Sequence, residues 1–251
     1  MKKSLFVTIF ALLLVGILLP SIVNAEDGFV TVAEDTVYYK TIVKENIFNT
    51  YSIGTDYDIE TVEISKAEYD AFNPATTQPL ASGTIETTYK HMTVSILKNS
   101  GVFRYKNYLS WKNIPATRSY DVIGIAYPST VKLGSAMVFT QEYCNATGTC
   151  YTNSGHNPEV RTTGALTIFP LPTGSLSRLN QTMYFDVAKN TSSTITTQYV
   201  QGDYSHAQSA VSLSKVFGTY AAYGGGIILT SAVEDNYDSI SLARAQWTEN
   251  W

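Results

Sequence analysis

The sequence contains few of the residues on which the most recognisable enzyme and metal sites depend. Its 251 residues include two cysteines and three histidines, and charged residues make up 15% of the chain. There is no C-x-x-C pair and no histidine at ligand spacing from a cysteine, so a zinc or redox centre is not indicated. The G-x-S-x-G pattern of a nucleophile elbow is also missing, which excludes the most familiar sequence signature of a serine hydrolase.

Long apolar runs are equally scarce, and the single clear one lies at the N-terminus. Two lysines precede an apolar run over residues 5–19, and Val23-Asn24-Ala25 follows as the small-residue cleavage pattern of a secretory signal peptide. A run of 15 residues is shorter than the roughly 20 that a membrane span needs. We therefore predict that residues 1–25 are removed as a signal peptide. The mature protein is then secreted and extracellular, with no membrane span after signal removal.

Basic residues are also fewer than acidic ones. Once Lys2 and Lys3 leave with the signal peptide, 15 of the 17 basic residues remain against 21 acidic ones, a net charge of −6. Nucleic acids and anionic membrane surfaces are bound through clustered lysine and arginine. The charge balance disfavours both as partners, so we expect an extracellular polymer or protein instead.

The two cysteines, Cys144 and Cys150, lie close together in the sequence. In an exported protein, an even number of closely spaced cysteines indicates a disulfide. Closing so short a ring contributes about 2 kcal/mol through the entropy of the unfolded state. We predict a bond that fixes one hairpin tip and does not hold the whole fold together.

Strand patterns recur along almost the whole mature chain. The clearest is a hairpin that pairs Thr84 to Leu97 with Val102 to Trp111 through Asn99-Ser100-Gly101, a turn sequence that tolerates positive φ. In the second arm apolar and polar residues alternate, which predicts burial of one face, containing Phe103, Tyr105, Leu109 and Trp111. Short strands separated by turns favour an all-β fold, an antiparallel β-sandwich of jelly-roll or Ig-like type.

One short helix interrupts this pattern. Ser65 and Glu68 form a capping box, and Asn73-Pro74 ends the helical stretch. Ala210 to Val216 is predicted as a further strand. We assign residues 26–251 to a single domain, with residues 26–82 as an N-terminal part that is alternatively an extension of it.

Two segments resemble secreted β-rich proteins of Gram-positive bacteria, a family of unknown function. They are the run from Leu109 to Ile125, which includes Trp111 and Tyr120-Asp121, and the hexapeptide from Gly202 to Ala207. The cysteine hairpin completes the resemblance. It implies a secreted β-rich protein and brings no activity, cofactor or catalytic residue.

Candidate site residues are concentrated in the second of these segments. Asp203, Tyr204, Ser205 and His206 place an acid, a phenol, a hydroxyl and an imidazole within four residues. Neighbouring strand residues point to opposite faces, so Ser205 is not a nucleophile activated by His206. We predict no catalytic residues here. Asp203, Tyr204 and His206 instead shape a structural corner or a binding edge, and Trp247 is a further candidate binding residue.

Carboxylates offer two clusters, one of Asp56, Asp58 and Glu60 and one of Glu234, Asp235 and Asp238. On a strand, the first cluster would share one face and could take a hard cation such as Ca²⁺. A solvated, charged sheet edge explains it better, since no glycine-punctuated calcium loop is present. We therefore predict no bound metal and no cofactor. A pair of acids distant in sequence, as in glycosidases, stays open.

A run of three glycines follows two tyrosines in the C-terminal part of the chain. Tyr220 and Tyr223 precede Gly224-Gly225-Gly226, which has no following lysine and hydroxyl residue and is therefore not a phosphate loop. A strand bend or a close backbone approach explains the glycines.

The leading functional hypothesis is a secreted, non-catalytic protein that binds or structures an extracellular or cell-envelope component. An extracellular carboxylate-dependent hydrolase is the first alternative. A pore-forming or antagonistic secreted protein is the second, suggested by the hydroxyl-rich segment Thr191 to Thr197.

Overall fold

Antiparallel β-strands make up most of the chain in the computed structural model, which describes residues 28–45, 57–73, 84–224 and 226–251. The signal peptide predicted over residues 1–25 lies outside these ranges, so its removal stays a prediction. Among the described residues, no helix combines the length and the apolar character that a membrane crossing requires.

The strands and helices follow one another closely along the chain. In order they are β1 (Val30–Glu45), β2 (Tyr57–Ile64), α1 (Lys66–Ala71), β3 (Thr84–Asn99), β4 (Val102–Trp111), β5 (Tyr120–Ala126), β6 (Val131–Leu133), β7 (Val138–Asn145), β8 (Cys150–Asn153), β9 (Asn157–Arg161), β10 (Gly164–Pro170), β11 (Leu176–Lys189), β12 (Thr197–Ala207), α2 (Leu213–Val216), β13 (Tyr220–Ala222), β14 (Gly226–Ile228) and β15 (Tyr237–Thr248).

These strands form two large sheets and one small hairpin. The first sheet has eight strands in the order β2-β1-β3-β4-β11-β7-β8, with β6 paired to β11. The second has five strands in the order β15-β12-β5-β10-β9, and β13 pairs with β14. Inward-facing residues of both sheets form one core, which includes Met92, Val94, Tyr105, Ile123 and Tyr204. The predicted all-β sandwich is therefore confirmed.

The β3–β4 hairpin forms where the sequence predicts it. Its turn uses Ser100 at φ 47° and Gly101 at φ 86°, the left-handed conformations that a tight hairpin needs. Phe103, Tyr105, Leu109 and Trp111 are buried on one face as predicted. Upstream, β1 lies between β2 and β3 in the first sheet; the assignment of residues 26–251 to one domain stays a prediction.

The predicted short helix is confirmed as α1. The Ser65 hydroxyl accepts a hydrogen bond from the backbone N–H of Glu68 at 3.1 Å, which is half of the expected capping box. Tyr69 is the buried residue of this helix. Its hydroxyl lies 2.9 Å from Nδ1 of His91 on β3. Thus α1 packs on the outer face of the first sheet, and His91 is one of its contacts.

The prediction of a strand over Ala210 to Val216 is wrong. The chain leaves the second sheet after Ala207 and forms the four-residue helix α2, so the fold contains a second α-helix. A 3₁₀ helix, Glu234–Asn236, precedes β15. Leu213 and Val216 both pack against a small apolar cluster, a three-residue spacing that suits a helical turn. The predicted segment therefore contributes to packing as a helical turn and not as a strand.

Residues 208–224 and 226–236 form a third layer over the outer face of the second sheet. A separate apolar cluster lies between this layer and the sheet and includes Val122, Leu166, Val216, Ala221 and Val233. Glycine makes the approach possible, because a Cβ at Gly164 would lie 2.2 Å from the carbonyl oxygen of Ala221. We call these two ranges the covering layer.

The predicted disulfide between Cys144 and Cys150 is confirmed. It joins the end of β7 to the start of β8, and the Asn145 side chain accepts hydrogen bonds from the backbone N–H groups of Thr147 and Thr149 inside the turn. The bond therefore stabilises one hairpin tip.

Candidate functional site

The structure brings five polar or charged side chains together between the two sheets. They are Lys90 on β3, Asp121 on β5, Tyr204 and His206 on β12, and Asp238 on β15, and each is at most 4% exposed. Tyr204 and His206 share a face because residues two apart on a strand point the same way. We call this group the buried ionic cluster.

Asp238 is the acceptor at one end of the buried ionic cluster. Its Oδ2 lies 2.9 Å from Nζ of Lys90 and accepts hydrogen bonds from the hydroxyls of Thr41 at 2.9 Å and Thr61 at 3.3 Å. The backbone N–H of His206 donates to Oδ1 at 3.3 Å. Burial acts to raise the pKa of Asp238, but the charges of Lys90 and His206, with these hydrogen bonds, bring it below its ordinary value. The carboxylate is thus kept charged inside the protein.

Asp121 is the acceptor at the other end. Nδ1 of His206 lies 2.9 Å from Oδ2 of Asp121, and the backbone N–H of Ala207 donates to Oδ1 at 3.1 Å. The Tyr204 hydroxyl donates to the same carboxylate. Burial, followed by the charge of Asp121, raises the pKa of Tyr204 well above its ordinary value. Tyr204 therefore acts as a hydrogen-bond donor to Asp121.

Trp111 lies beside the cationic side of the cluster. Nζ of Lys90 lies 4.8 Å from the centre of a Trp111 ring, within cation–π range. The His206 ring is 5.0 Å from the same side chain, in an edge-on arrangement. This aromatic wall closes the cluster from the core side, so its charged groups face one another.

The candidate site residues predicted from β12 lie on opposite faces of the second sheet. Tyr204 and His206 face inward into the buried ionic cluster, whereas Asp203 faces the covering layer. Sequence reasoning missed Lys90 and Asp121, and placed Asp238 only in an acidic cluster. One signal was available for Lys90, because its position alternates with Met92, Val94 and Ile96, all fully buried. A lysine in such a register marks a buried charge that needs a partner.

Asp203 occupies a second buried polar site. Both of its carboxylate oxygens lie 3.3 Å from Nε2 of Gln201. Burial raises the pKa of Asp203 to about 7, against the opposing effects of the Gln201 hydrogen bond and the charge of Arg244. Near neutral pH this carboxyl therefore exists in both protonation states.

Replacement of Asp203 by asparagine should flatten the pH dependence of stability. Because the folded-state pKa of about 7 lies above the unfolded value of about 3.9, the folded state binds the proton more tightly. The stabilisation is complete at low pH and is lost as the pH rises through 7, which amounts to about 2 kcal/mol between about pH 5 and about pH 8. Urea denaturation measures the free energy of unfolding at both pH values, and Asp203→Asn should lack this loss of stability.

The matched control is Asp70→Asn. Asp70 is an exposed carboxyl whose pKa is lowered by its hydrogen bond to Lys66, so it stays ionised over the same range. This variant should keep the wild-type slope. An Asp203→Asn protein with an unchanged slope would contradict the raised pKa.

An open pocket of about 360 Å³ lies on the covered side of the second sheet, beyond Asp203. Its lining comes from β12, β15 and the tip of the β13–β14 hairpin, and comprises Tyr199, Val200, Gln201, Tyr223, Gly224, Arg244, Ala245 and Gln246. The backbone N–H of Gly224 donates to Oε1 of Gln201 at 3.3 Å, which ties the hairpin tip to the sheet. Tyr199 is 37% and Tyr223 43% exposed, so both rings are available to a ligand.

Trp247, the remaining predicted binding residue, lies on the opposite face of β15 from Arg244 and Gln246. It is half-buried against the main core, and its Nε1 donates to Glu249 at 3.0 Å. The structure does not bring it together with Asp203, Tyr204 or His206. Its role in binding stays a prediction.

The prediction of no bound metal stays untested for the acidic cluster of Asp56, Asp58 and Glu60. Asp56 and the side chain of Asp58 lie outside the described residues, while the exposed Glu60 pairs with Lys44 at 3.4 Å. Among the described side chains, no three His, Cys, Asp or Glu residues are grouped so that they could hold a metal ion.

Comparison with known proteins adds structural likenesses only. No protein-family model and no curated protein matches the chain. Among solved structures, it is similar to the collagen-binding domain of Erysipelothrix rhusiopathiae surface protein RspB, with TM-score 0.30 and 9% identity over 66% of this chain and 67% of that one. The full-length major pilin SpaD from Corynebacterium diphtheriae matches with TM-score 0.37 and 7% identity, over 85% of this chain and 61% of that one. A structure described as BspA_C_WT matches with TM-score 0.36 and 8% identity over 86% and 85%. The chain spans less than two thirds of SpaD, and at these TM-scores the likenesses carry no argument about function.

Proposed function

We propose that the mature protein is a secreted, non-catalytic binding protein, and that the pocket beside Tyr199, Tyr223 and Arg244 holds an acidic saccharide unit of an extracellular polymer. One observation carries the proposal. The buried ionic cluster is enclosed between the sheets, whereas the open pocket presents aromatic rings, amides and one guanidinium.

The lining chemistry supports a saccharide. The faces of Tyr199 and Tyr223 offer flat apolar surfaces for a sugar ring, and phenol hydroxyls add polar contacts at their edges. The side-chain amide of Gln246 can both donate to and accept from hydroxyls. A pocket with apolar walls and a few polar groups is the usual form of a small-molecule site.

Arg244 supports an acidic ligand. It is exposed, and it is the only charged residue among the eight that line the pocket. A guanidinium binds a carboxylate through two parallel hydrogen bonds, which a neutral sugar cannot offer. The expected unit therefore carries a carboxylate, as uronic acids do.

Binding to uronic-acid polymers should depend on Tyr223 and Arg244. Isothermal titration with alginate and hyaluronan oligosaccharides is expected to show binding, and dextran oligosaccharides should bind more weakly. Tyr223→Ala should weaken binding about tenfold through loss of ring contact, and Arg244→Gln should remove the preference for acidic sugars. Tyr151→Ala is the matched control, because Tyr151 is a similarly exposed tyrosine at 48% on β8, away from the pocket.

Two results of the same titrations would contradict the proposal. Equal affinity of the wild type and Arg244→Gln for all of them, or no binding to any, would contradict the assigned ligand. The carboxylate-dependent hydrolase has one specific observation in its favour, the buried Asp203 carboxyl in contact with Gln201, a residue that lines the pocket; burial raises the pKa of this carboxyl to about 7. Cleavage of any of these polymers that is abolished by Asp203→Asn would establish that alternative.

A further inference from the structure

Lys90 and Asp238 form an unusual ion pair. Their side chains are 0% and 1% exposed, and Nζ lies 2.9 Å from Oδ2. Among the ion pairs of the described residues, this is the one that joins a lysine to a carboxylate with both groups enclosed. The pair connects β3 of the first sheet to β15 of the second and spans 148 residues of sequence.

The ion pair is the resting state, and burial brings a neutral form of it within reach. Removing an ammonium and a carboxylate from water is costly, and only close pairing compensates for it. Transfer of one proton from Nζ to Oδ2 along their hydrogen bond converts the pair into an amine and a carboxylic acid in contact. Such a contact, fixed by folding, holds the two reacting groups at short distance and in one orientation.

We propose that Lys90 and Asp238 condense in the folded protein to an intramolecular amide bond between Nζ and Cγ. The Nζ lone pair attacks Cγ and forms the new C–N bond. The C–Oδ2 bond breaks, and Oδ2 leaves as water with the proton already received from the ammonium and a second proton from Nζ. One water molecule is lost, and neither oxidant nor reductant takes part.

The hydrogen bonds around Asp238 suit each stage of this step. The backbone N–H of His206 donates to Oδ1 at 3.3 Å and stabilises the negative charge that develops there during attack. Thr41 and Thr61 donate to Oδ2, the oxygen that leaves. Thr61 is half-buried on the edge strand β2, so the released water has a short route to solvent. The Trp111 ring, 4.8 Å from Nζ, keeps the lysine in place before reaction.

The amide would cross-link the two sheets of the sandwich. It would close a loop of 148 residues in the unfolded chain and so reduce the conformational freedom gained on unfolding. A cross-link at this position also keeps the two sheets together under mechanical force. It thereby limits the opening of the fold that proteases need. These are useful properties for a protein that works outside the cell.

Intact mass spectrometry of the full mature chain tests the proposal directly. After reduction of the disulfide and denaturation, the wild type should weigh one water molecule less than its sequence. Tandem spectrometry of a protease digest should locate the loss in a branched peptide joining Lys90 to Asp238. A wild type of full sequence mass, or a water loss located at any other residue, overturns the proposal.

Three variants sharpen the measurement. Lys90→Arg keeps a positive charge but cannot form the bond, so it should have its full sequence mass. Asp238→Asn should lose ammonia in place of water, because nitrogen is then the leaving atom. Lys66→Arg changes an exposed lysine paired to Asp70 and should retain the wild-type water loss. A water loss that persists in Lys90→Arg would also overturn the proposal. Circular dichroism establishes that each variant is folded before its mass is interpreted.

Discussion

Lys90→Met is expected to lower the free energy of unfolding by about 3–5 kcal/mol, the range found when one partner of a buried ion pair is removed. The methionine fits the apolar stem of the lysine, so the loss comes from electrostatics and not from a cavity. Asp238 is left as a buried carboxylate that keeps its two threonine donors and the His206 backbone N–H but loses its cation. Loss of an amide cross-link would add to this cost.

The pH dependence of the variant separates this cause from a packing defect. Where the Lys90–Asp238 pair of the wild type is still ionic, the Asp238 pKa lies below its ordinary value. Its contribution is then present above the unfolded pKa of about 3.9 and is lost as the pH falls through the lower folded value. In Lys90→Met the carboxyl can remain protonated inside the fold, so the difference from wild type should shrink toward acid pH.

Urea denaturation at neutral and acid pH measures both effects. Lys66→Met is the control, because Lys66 is 67% exposed in its pair with Asp70, and exposed ion pairs contribute little to stability. A Lys90→Met protein as stable as this control would show that the buried pair contributes little.

The elements predicted from sequence alone are those formed by contacts between residues that are close together in the sequence. The β3–β4 hairpin follows from a three-residue turn and alternation in its second arm, and α1 follows from the Ser65 cap. The disulfide needed only compartment and spacing. In each case the interacting residues lie within a few positions of one another, so a single window of sequence contains the whole argument.

The buried ionic cluster could not be predicted in this way because its contacts are long-range. Thr41 and Asp238 are 197 residues apart, and Tyr204 and Asp121 are 83 apart. Nothing near Asp121 indicates that it faces His206, since sheet order decides which strands become neighbours. Strand alternation puts Tyr204 and His206 on one face, but the sequence could not supply their partners.

The pocket and the covering layer depend on a different kind of information. The Tyr223-Gly224 segment was recognisable as a bend or a close approach, yet its partners on β12 and β15 are set by how the chain folds back after Ala207. The strand predicted over Ala210 to Val216 is wrong for the same reason, because burial in the covering layer, not pairing in a sheet, determines the conformation.

Gly164→Ala is expected to destabilise the protein by about 3 kcal/mol, at the upper end of the usual cost of overpacking. The new Cβ would lie 2.2 Å from the carbonyl oxygen and 2.7 Å from the carbonyl carbon of Ala221, and backbone atoms cannot turn away as a side chain can. Either β10 or the β13–β14 hairpin must shift. Because Tyr223 and Gly224 at the hairpin tip line the pocket, the same shift should weaken saccharide binding.

The control for this glycine is Gly155→Ala, where the nearest atom to a new Cβ is the side-chain oxygen of Asn153 at 3.2 Å. A flexible side chain can move, so the change in stability should stay within about 0.5 kcal/mol. Thermal unfolding and the oligosaccharide titration, run on both variants, separate the two sites. If Gly164→Ala matched Gly155→Ala in both measurements, the covering layer would not lie against β10, and the pocket would lose the hairpin that forms one of its walls.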